Sequence, residues 1–270
     1  MSELEARVER EREAHDERDV LAENIRIKDK FSHIWSFPSR IRFYQRIDSY
    51  LSDISGMHIL DFGCGRGDTA LKYLLRGARV SGIDISKVFI EDARAKASQA
   101  EILADQYDFR VMDAHNLDFP DKTFDIVVGF GILHHLDADV ALREIHRVLK
   151  PGGRVLLQEP LADNPLLKLF RALTPKARTE DEEPFTGKEV QRLTSLEEWQ
   201  TELFYCGILE APAAMLTSVL IPSRPDNWIL NLTDRVERWL HRNEVLLSWN
   251  QYLCFNMLKR ENPITPDDGR

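Results

Sequence analysis

The sequence predicts a doubly wound α/β domain, and three observations carry that prediction. Strand-like apolar runs alternate with helical patterns from Ile59 to Glu159. The first strand runs straight into a turn holding Gly63, Gly65 and Gly67, and a helical pattern starts directly behind it. Carboxylates close successive strands at Asp61, Asp84 and Asp113, on the side of an open sheet where ligands bind. At 270 residues and 43% hydrophobic content, the chain can bury one good-sized core with attachments rather than two independent domains.

Residues 1–30 read as a charged arm. Acids and bases alternate there, and sparse apolar positions such as Leu4, Val8, Val20, Leu21 and Ile25 predict a solvated helix with a thin stripe. A homodimer contact through that helix stays open. Residues 31–55 read as a helical cover, with Phe31, Trp35, Phe37, Phe43, Tyr44 and Tyr50 crowded among Arg40, Arg42 and Arg46. Aromatic residues at helical spacing serve as core or close over a ligand, which makes Trp35 and Tyr44 candidate substrate contacts.

Residues 56–260 form the main domain. Glycine in its first turn allows φ > 0 and lets a ligand approach without meeting a Cβ. A dinucleotide fingerprint needs a small residue where Asp68 stands, and Asp61 would repel a pyrophosphate at short range. A cationic ligand suits the same turn. The stretch Asp61 to Gly67, D-x-G-x-G-x-G, resembles the first motif of the class I S-adenosylmethionine-dependent methyltransferases. The resemblance implies a Rossmann-like sheet of seven mostly parallel strands with the last antiparallel. It also implies S-adenosyl-L-methionine, a sulfonium and ammonium carrier without phosphate, held at Asp61, Gly63, Gly65 and Gly67.

Asp68 to Leu75 reads as helix closed by Gly77, and Ala78 to Ile85 as a second strand. Asp84 stands about twenty residues beyond the glycine turn, where an acid can accept from both ribose hydroxyls; Ile85 then flanks the adenine. Ser86 caps the next helix, to about Leu103. Phe109 to Met112 is a third strand, and the resemblance implies that Asp113 and Ala114 behind it meet the adenine. A turn from Phe119 to Asp125 leads into the strand Ile126 to Val128, with Gly129 and Gly131 suited to a strand end facing a ligand. A helix with apolar positions Val140, Leu142, Ile145, Val148 and Leu149 stops at Lys150-Pro151-Gly152-Gly153, which re-aims the chain into the strand Arg154 to Gln158. Leu149 to Gly153 resembles the family's later motif.

The loop from Pro160 to Gly187, with a short apolar helix near Leu166 to Leu173 and acids from Glu180 to Glu183, is placed to shape an acceptor pocket. Beyond it the pattern predicts a helix from the Ser195 cap to Tyr205, mainly strand from Ile208 to Ile221, an amphipathic helix from Asp226 to about Leu246, and a last strand from Gln251 to Lys259. Residues 261–270 read as a disordered tail.

A net charge of −9 and a pI near 5.5 disfavour nucleic acid as a partner. Cys64, Cys206 and Cys254 are scattered, so the sequence predicts neither a disulfide framework nor a metal site, and a reducing cytoplasm fits. The most apolar stretch, Ile208 to Ile221, is interrupted by Glu210 and Pro212, and no membrane insertion is expected. Methyl transfer from a sulfonium is an in-line displacement that needs alignment and exclusion of water. A hydroxyl acceptor also needs a base, and histidine has the most suitable range. Leu133-His134-His135-Leu136 resembles the leucine-histidine motif of small-molecule O-methyltransferases, which implies His134 as proton acceptor, although those enzymes often carry aspartate and tryptophan where His135 and Leu136 stand. His135 is then a packing neighbour that meets substrate, and Glu159 can orient a histidine or meet acceptor hydroxyls. The expectation is methyl transfer to a small-molecule acceptor, oxygen ahead of nitrogen or carbon, in bacterial secondary-metabolite, lipid or glycan biosynthesis. The alternative is a cofactor-binding protein of the same fold acting as a cyclase or regulatory partner.

Overall fold

Seven strands, β1 (His58–Phe62), β2 (Arg79–Asp84), β3 (Tyr107–Val111), β4 (Phe124–Phe130), β5 (Leu149–Pro160), β6 (Trp199–Cys206) and β7 (Tyr252–Lys259), form one sheet in the order β3-β2-β1-β4-β5-β7-β6. The computed structural model describes residues 3–17, 32–168 and 183–260. Strands β1 to β5 pair in parallel, and β7 runs antiparallel to both β5 and β6, so the last strand is the reversed one, as the family resemblance implies. Strand order reverses between β1 and β4, and a crevice opens beyond their carboxyl ends.

Strand periodicity of two sorts the apolar residues into two layers. Leu60, Phe62, Val127, Val155 and Leu157 face one layer, filled by α6 (Ala138–Val148) and α7 (Gly187–Thr194). Ile59, Val80, Ile126, Val128 and Leu156 face the other, filled by α3 (Pro38–Tyr50), α4 (Asp68–Leu74) and α5 (Lys87–Gln99). Both faces of the central strands are buried, which explains their continuous apolar runs. Ser86 caps α5 by accepting from the Phe89 N–H, and Asp137 caps α6 by accepting from Asp139 and Val140.

Three expectations are corrected. The predicted helix from Ser195 to Tyr205 is instead β6, because Trp199, Leu203 and Tyr205 pack into one layer while Phe204 and Cys206 pack into the other, an alternation only a strand can satisfy. Ser195 closes the preceding helix α7, which starts at a capping box between Thr186 and Glu189. The predicted strand from Ile208 to Ile221 is the helix α8 (Glu210–Leu220): its alanines favour helix, and Pro212 sits in the first turn, where a missing N–H costs little. The described part of the charged arm is also less solvated than its composition suggests, since α1 (Glu3–Glu17) buries Glu11 to 6% exposure, while the arm's Val20, Leu21 and Ile25 lie outside the described residues. The helix expected from Asp226 is α9 (Trp228–Leu240), followed by a 3-10 segment, Glu244–Trp249. Most of the predicted apolar helix and acid cluster of the Pro160 to Gly187 loop, and the tail 261–270, lie outside the described residues.

The cover is knitted together by charge. Helix α8 packs on α9 and on α2 (Ser32–Trp35), and α9 packs on α3. Arg40 of α3 is buried, donates to Glu210 of α8 and to Gln251, and lies 5.3 Å from the ring centres of both Trp35 and Tyr252. Burial pushes the Glu210 carboxyl up to about 7 despite the guanidinium beside it. Removing one partner of such a pair leaves the other buried and uncompensated. Arg40→Ala should therefore cost about 3–5 kcal/mol in denaturant unfolding, and the double variant Arg40→Met, Glu210→Leu should recover most of it. Equal losses in the single and double variants would show that the pair does not act as a unit.

Candidate active site

The glycine turn after β1 is built for close approach. Gly63, Gly65 and Gly67 all take positive φ (74°, 51° and 77°), and a Cβ on Gly65 would meet nothing within 4 Å, which marks open space above it. Asp84, at the end of β2, accepts from the Gly65 N–H at 2.9 Å through one oxygen and from the Ser86 N–H at 2.9 Å through the other. Asp113 accepts from both the backbone N–H and Nδ1 of His115, the latter at 2.7 Å. Burial raises the Asp113 carboxyl, but these bonds outweigh it and hold it below its usual range. His115 Nε2 accepts from the Asp137 N–H at 2.9 Å, so Nδ1 carries the proton, and the ring ties β3's loop to the start of α6.

Gly63, Gly65, Asp84 and Asp113 line a cavity of about 220 Å³ together with Ile85, Phe89, Met112, Ala114 and Ile132, closed on one side by Val8 and Glu11 of α1. Glu11 stands 3.2 Å from His135 Nδ1, and Arg7 donates to the His134 carbonyl at 3.4 Å. Asp61 lies beneath the turn, 2% exposed, with Oδ2 lacking a hydrogen-bond partner among the described residues. Burial and then Asp84 push its carboxyl up to about 7.

Beyond β4 the chain turns at Gly131 (φ 69°) into a single 3-10 turn, Leu133–His135. Glu159, fully buried at the end of β5, accepts from the N–H groups of Ile132, Leu133 and His134 at 3.3, 2.9 and 3.3 Å, and from His134 Nδ1 at 2.7 Å. A carboxylate only accepts, so Nδ1 carries the hydrogen and Nε2 is the basic nitrogen. His134 lines a second cavity of about 680 Å³ with Trp35, Tyr44, Tyr73, Gln158 and Tyr252, and with Asp48, Lys72 and Arg76 as its charged members. Phe130 and Gly131 line both cavities, which therefore meet at the end of β4. The volume is in the range that encloses a drug-sized molecule.

The structure thus gathers Gly63, Gly65, Asp84, Ile85, Asp113 and Ala114 around one cavity and Trp35, Tyr44 and His134 around the other. It puts His135 in the first cavity and not with the acceptor side. Asp61, Gly67 and Gly129 line neither: Asp61 is buried beneath the turn, Gly67 needs its positive φ and its missing Cβ against Ala93, and Gly129 is packed by Leu157 and Ile132. His115, Glu11, Phe89, Tyr73 and Gln158 escaped the sequence reading. His115 had a signal, two residues behind a strand-end acid; the others carry none, because their placement depends on how helices and sheet meet. Among the described residues no group of three or more His, Cys, Asp and Glu could hold a metal ion.

A doubly wound seven-stranded sheet with carboxylates at successive strand ends defines a nucleoside-type cofactor site, and the comparisons say which. The family described as "Methyltransferase domain" matches residues 60–157. The chain is 32% identical over 176 residues to the demethylmenaquinone methyltransferase of Lactococcus lactis subsp. lactis, covering 64% of this chain and 67% of that protein. It is 33% identical over 184 residues to the 27-O-demethylrifamycin SV methyltransferase of Amycolatopsis mediterranei, covering 67% and 65%. The matched part thus spans about two thirds of each relative's length. The fold is also that of geranyl diphosphate C-methyltransferase from Streptomyces coelicolor A3(2), with a TM-score of 0.57 at 18% identity over 81% of this chain and 80% of that one. The chain belongs to the class I S-adenosylmethionine-dependent methyltransferases, and S-adenosylmethionine is its cofactor.

The residues fit that cofactor. A bare glycine turn, hydrogen-bond acceptors at Asp84 and Asp113, and a buried carboxyl oxygen at Asp61 without a partner among the described residues suit a ligand that brings hydroxyls, an amino group and positive charge. Between its ordinary value of 3.8 and about 7, Asp61 is neutral in the fold and ionised in the unfolded chain, so its burial lowers stability as pH rises through that window. Asp61→Asn removes the effect. The melting temperature of the variant should gain on that of the wild type between pH 4 and pH 7; a difference that does not change with pH would show that Asp61 is ionised throughout.

Proposed function

We propose that the chain methylates a hydroxyl of a small, largely apolar acceptor, with His134 as general base and Glu159 as the group that orients it. The observation that supports this best is the buried His134 and Glu159 pair at the junction of the two cavities. When bound, S-adenosylmethionine supplies an electrophilic methyl group on a sulfonium. The Gly63 to Gly67 turn and Asp61 would receive its charged end, Asp84 would accept from its ribose hydroxyls, and Asp113 would accept from its adenine amino group. His115 acts through Asp113 by fixing the carboxylate's direction. The acceptor occupies the larger cavity, where Trp35, Tyr44, Tyr73 and Tyr252 offer aromatic surface. His134 Nε2 takes the hydroxyl proton, and Glu159 stabilises the imidazolium that forms. Closure by the cover and by α1 excludes water, which strengthens every electrostatic contact inside.

The acid surface, with a net charge of −9, disfavours nucleic acid as the acceptor. The word "27-O-demethylrifamycin" in one relative's name and "demethylmenaquinone" in another favour a metabolite acceptor of the secondary-metabolite or lipid kind. Two measurements test the assignment. Asp84→Ala should weaken cofactor binding by about 1.5–3 kcal/mol in calorimetry, the scale of hydrogen bonds to a charged group. His134→Ala should lower turnover on a phenolic or enolic test acceptor by roughly 10²- to 10⁴-fold, with cofactor affinity retained. Full turnover in that variant would remove His134 from the mechanism.

A further inference from the structure

Helix α9 presents an apolar stripe to solvent. Trp228 is 70% exposed, Leu232 51% and Trp239 66%, although such side chains are ordinarily at least half covered. At roughly 100° per residue these three fall within about 40° of one another, so they form one ridge and not a scatter. Leu216, Val219 and Leu220 of α8, which packs against α9, are exposed as well.

The charges of α9 are sorted just as sharply. Its two acids point inward: Asp234 is buried against Arg42, and Glu237 is buried and accepts from the Leu209 N–H. Its arginines point outward: Arg235 and Arg238 are exposed, as is Arg242 just beyond the helix, though Arg238 also reaches back to Asp234 at 3.3 Å. Arg235 and Arg238 lie roughly 20° and 80° to one side of Trp228 on the helical wheel, flanking the ridge. The nearest exposed acids, Asp226 and Glu244, stand beyond the helix's two ends. A basic apolar face on a chain of net charge −9 is a local reversal of the whole surface.

We infer that α9 is a docking surface for an anionic lipid bilayer, on which it lies in the interfacial plane with Trp228, Leu232 and Trp239 in the headgroup region and the arginines against lipid phosphates. Tryptophan and leucine beside arginine on a helix that does not span is the pattern of interfacial binding. Among the described residues no helix is long and apolar enough to cross a membrane, so the contact is peripheral. A second copy is the less favoured occupant: an isologous contact would bring arginines from both sides and no outward acid of α9 to meet them. The buried side of α9 packs on α3, whose Tyr44 and Asp48 line the larger cavity, so one helix separates the docked face from it. The inference stands on this surface alone and not on the methyl-transfer reading.

Co-sedimentation of the full chain with vesicles tests it. Binding to phosphatidylcholine vesicles containing phosphatidylglycerol should exceed binding to pure phosphatidylcholine by about tenfold and weaken as salt is raised. The variant Trp228→Ser, Leu232→Ser, Trp239→Ser should lose about tenfold in partitioning while its melting temperature stays within a few degrees of the wild type. Arg235→Glu with Arg242→Glu should abolish the preference for anionic vesicles. Undiminished partitioning of the serine variant, equal binding to neutral and anionic vesicles, or a dimer in light scattering that the serine variant dissolves would overturn the inference.

Discussion

Glu159 is the point on which the active-site side of this molecule turns. A carboxylate taken out of water must be met by donors, and here three consecutive backbone N–H groups and one imidazole nitrogen meet it. The arrangement is mutual. The 3-10 turn after β4 leaves its N–H groups without helical partners, and Glu159 satisfies them; in return the turn neutralises Glu159 and fixes the His134 ring. Because β4 and β5 are hydrogen-bonded neighbours, the turn that carries His134 and the strand end that carries Glu159 leave the sheet centre side by side.

Carboxylates met by backbone donors also run along the sheet's carboxyl edge. Asp84 is anchored by two backbone N–H groups, and Asp113 by the N–H and the ring of His115, so both acids are oriented before any ligand arrives. Asp61 differs: it is buried with an oxygen that lacks a partner among the described residues, and burial and then Asp84 hold its carboxyl raised. Binding sites of this kind keep unmet polar capacity where the ligand will supply it.

Around this rigid floor lie helices whose packing depends on distant residues. Helix α1 lies over the smaller cavity, and α2 and α3 flank the larger one, held by Arg40 between two aromatic rings and against Glu210 from the far end of the chain. The 3-10 turn is tied to these covers too, since the His134 carbonyl accepts from Arg7 and from the Glu183 N–H. Floor and covers are thus coupled through one backbone group.

What the sequence by itself determined is local. The strand-to-helix turn at Gly63 to Gly67, the acids at Asp84 and Asp113 and the helix-to-strand turn at Lys150 to Gly153 were legible because each sits within a few residues of the backbone feature that demands it: a positive φ, a strand end or a helix stop. Glu159 and His134 were readable as strand-end residues, but their 2.7 Å contact was not, since 25 residues separate them and only the parallel pairing of β4 with β5 brings them together. Tertiary structure likewise decided the fates of 195–205 and 208–221. Local propensity is weak for short apolar runs, so burial between two layers made the first a strand, and the pairing of Glu210 with Arg40, 170 residues away, sealed the second as a helix of the cover. Glu11 and His115 entered the site for the same reason: a solvated charge or a turn histidine becomes a buried wall only when a second element packs over it, and no pattern within one element records that.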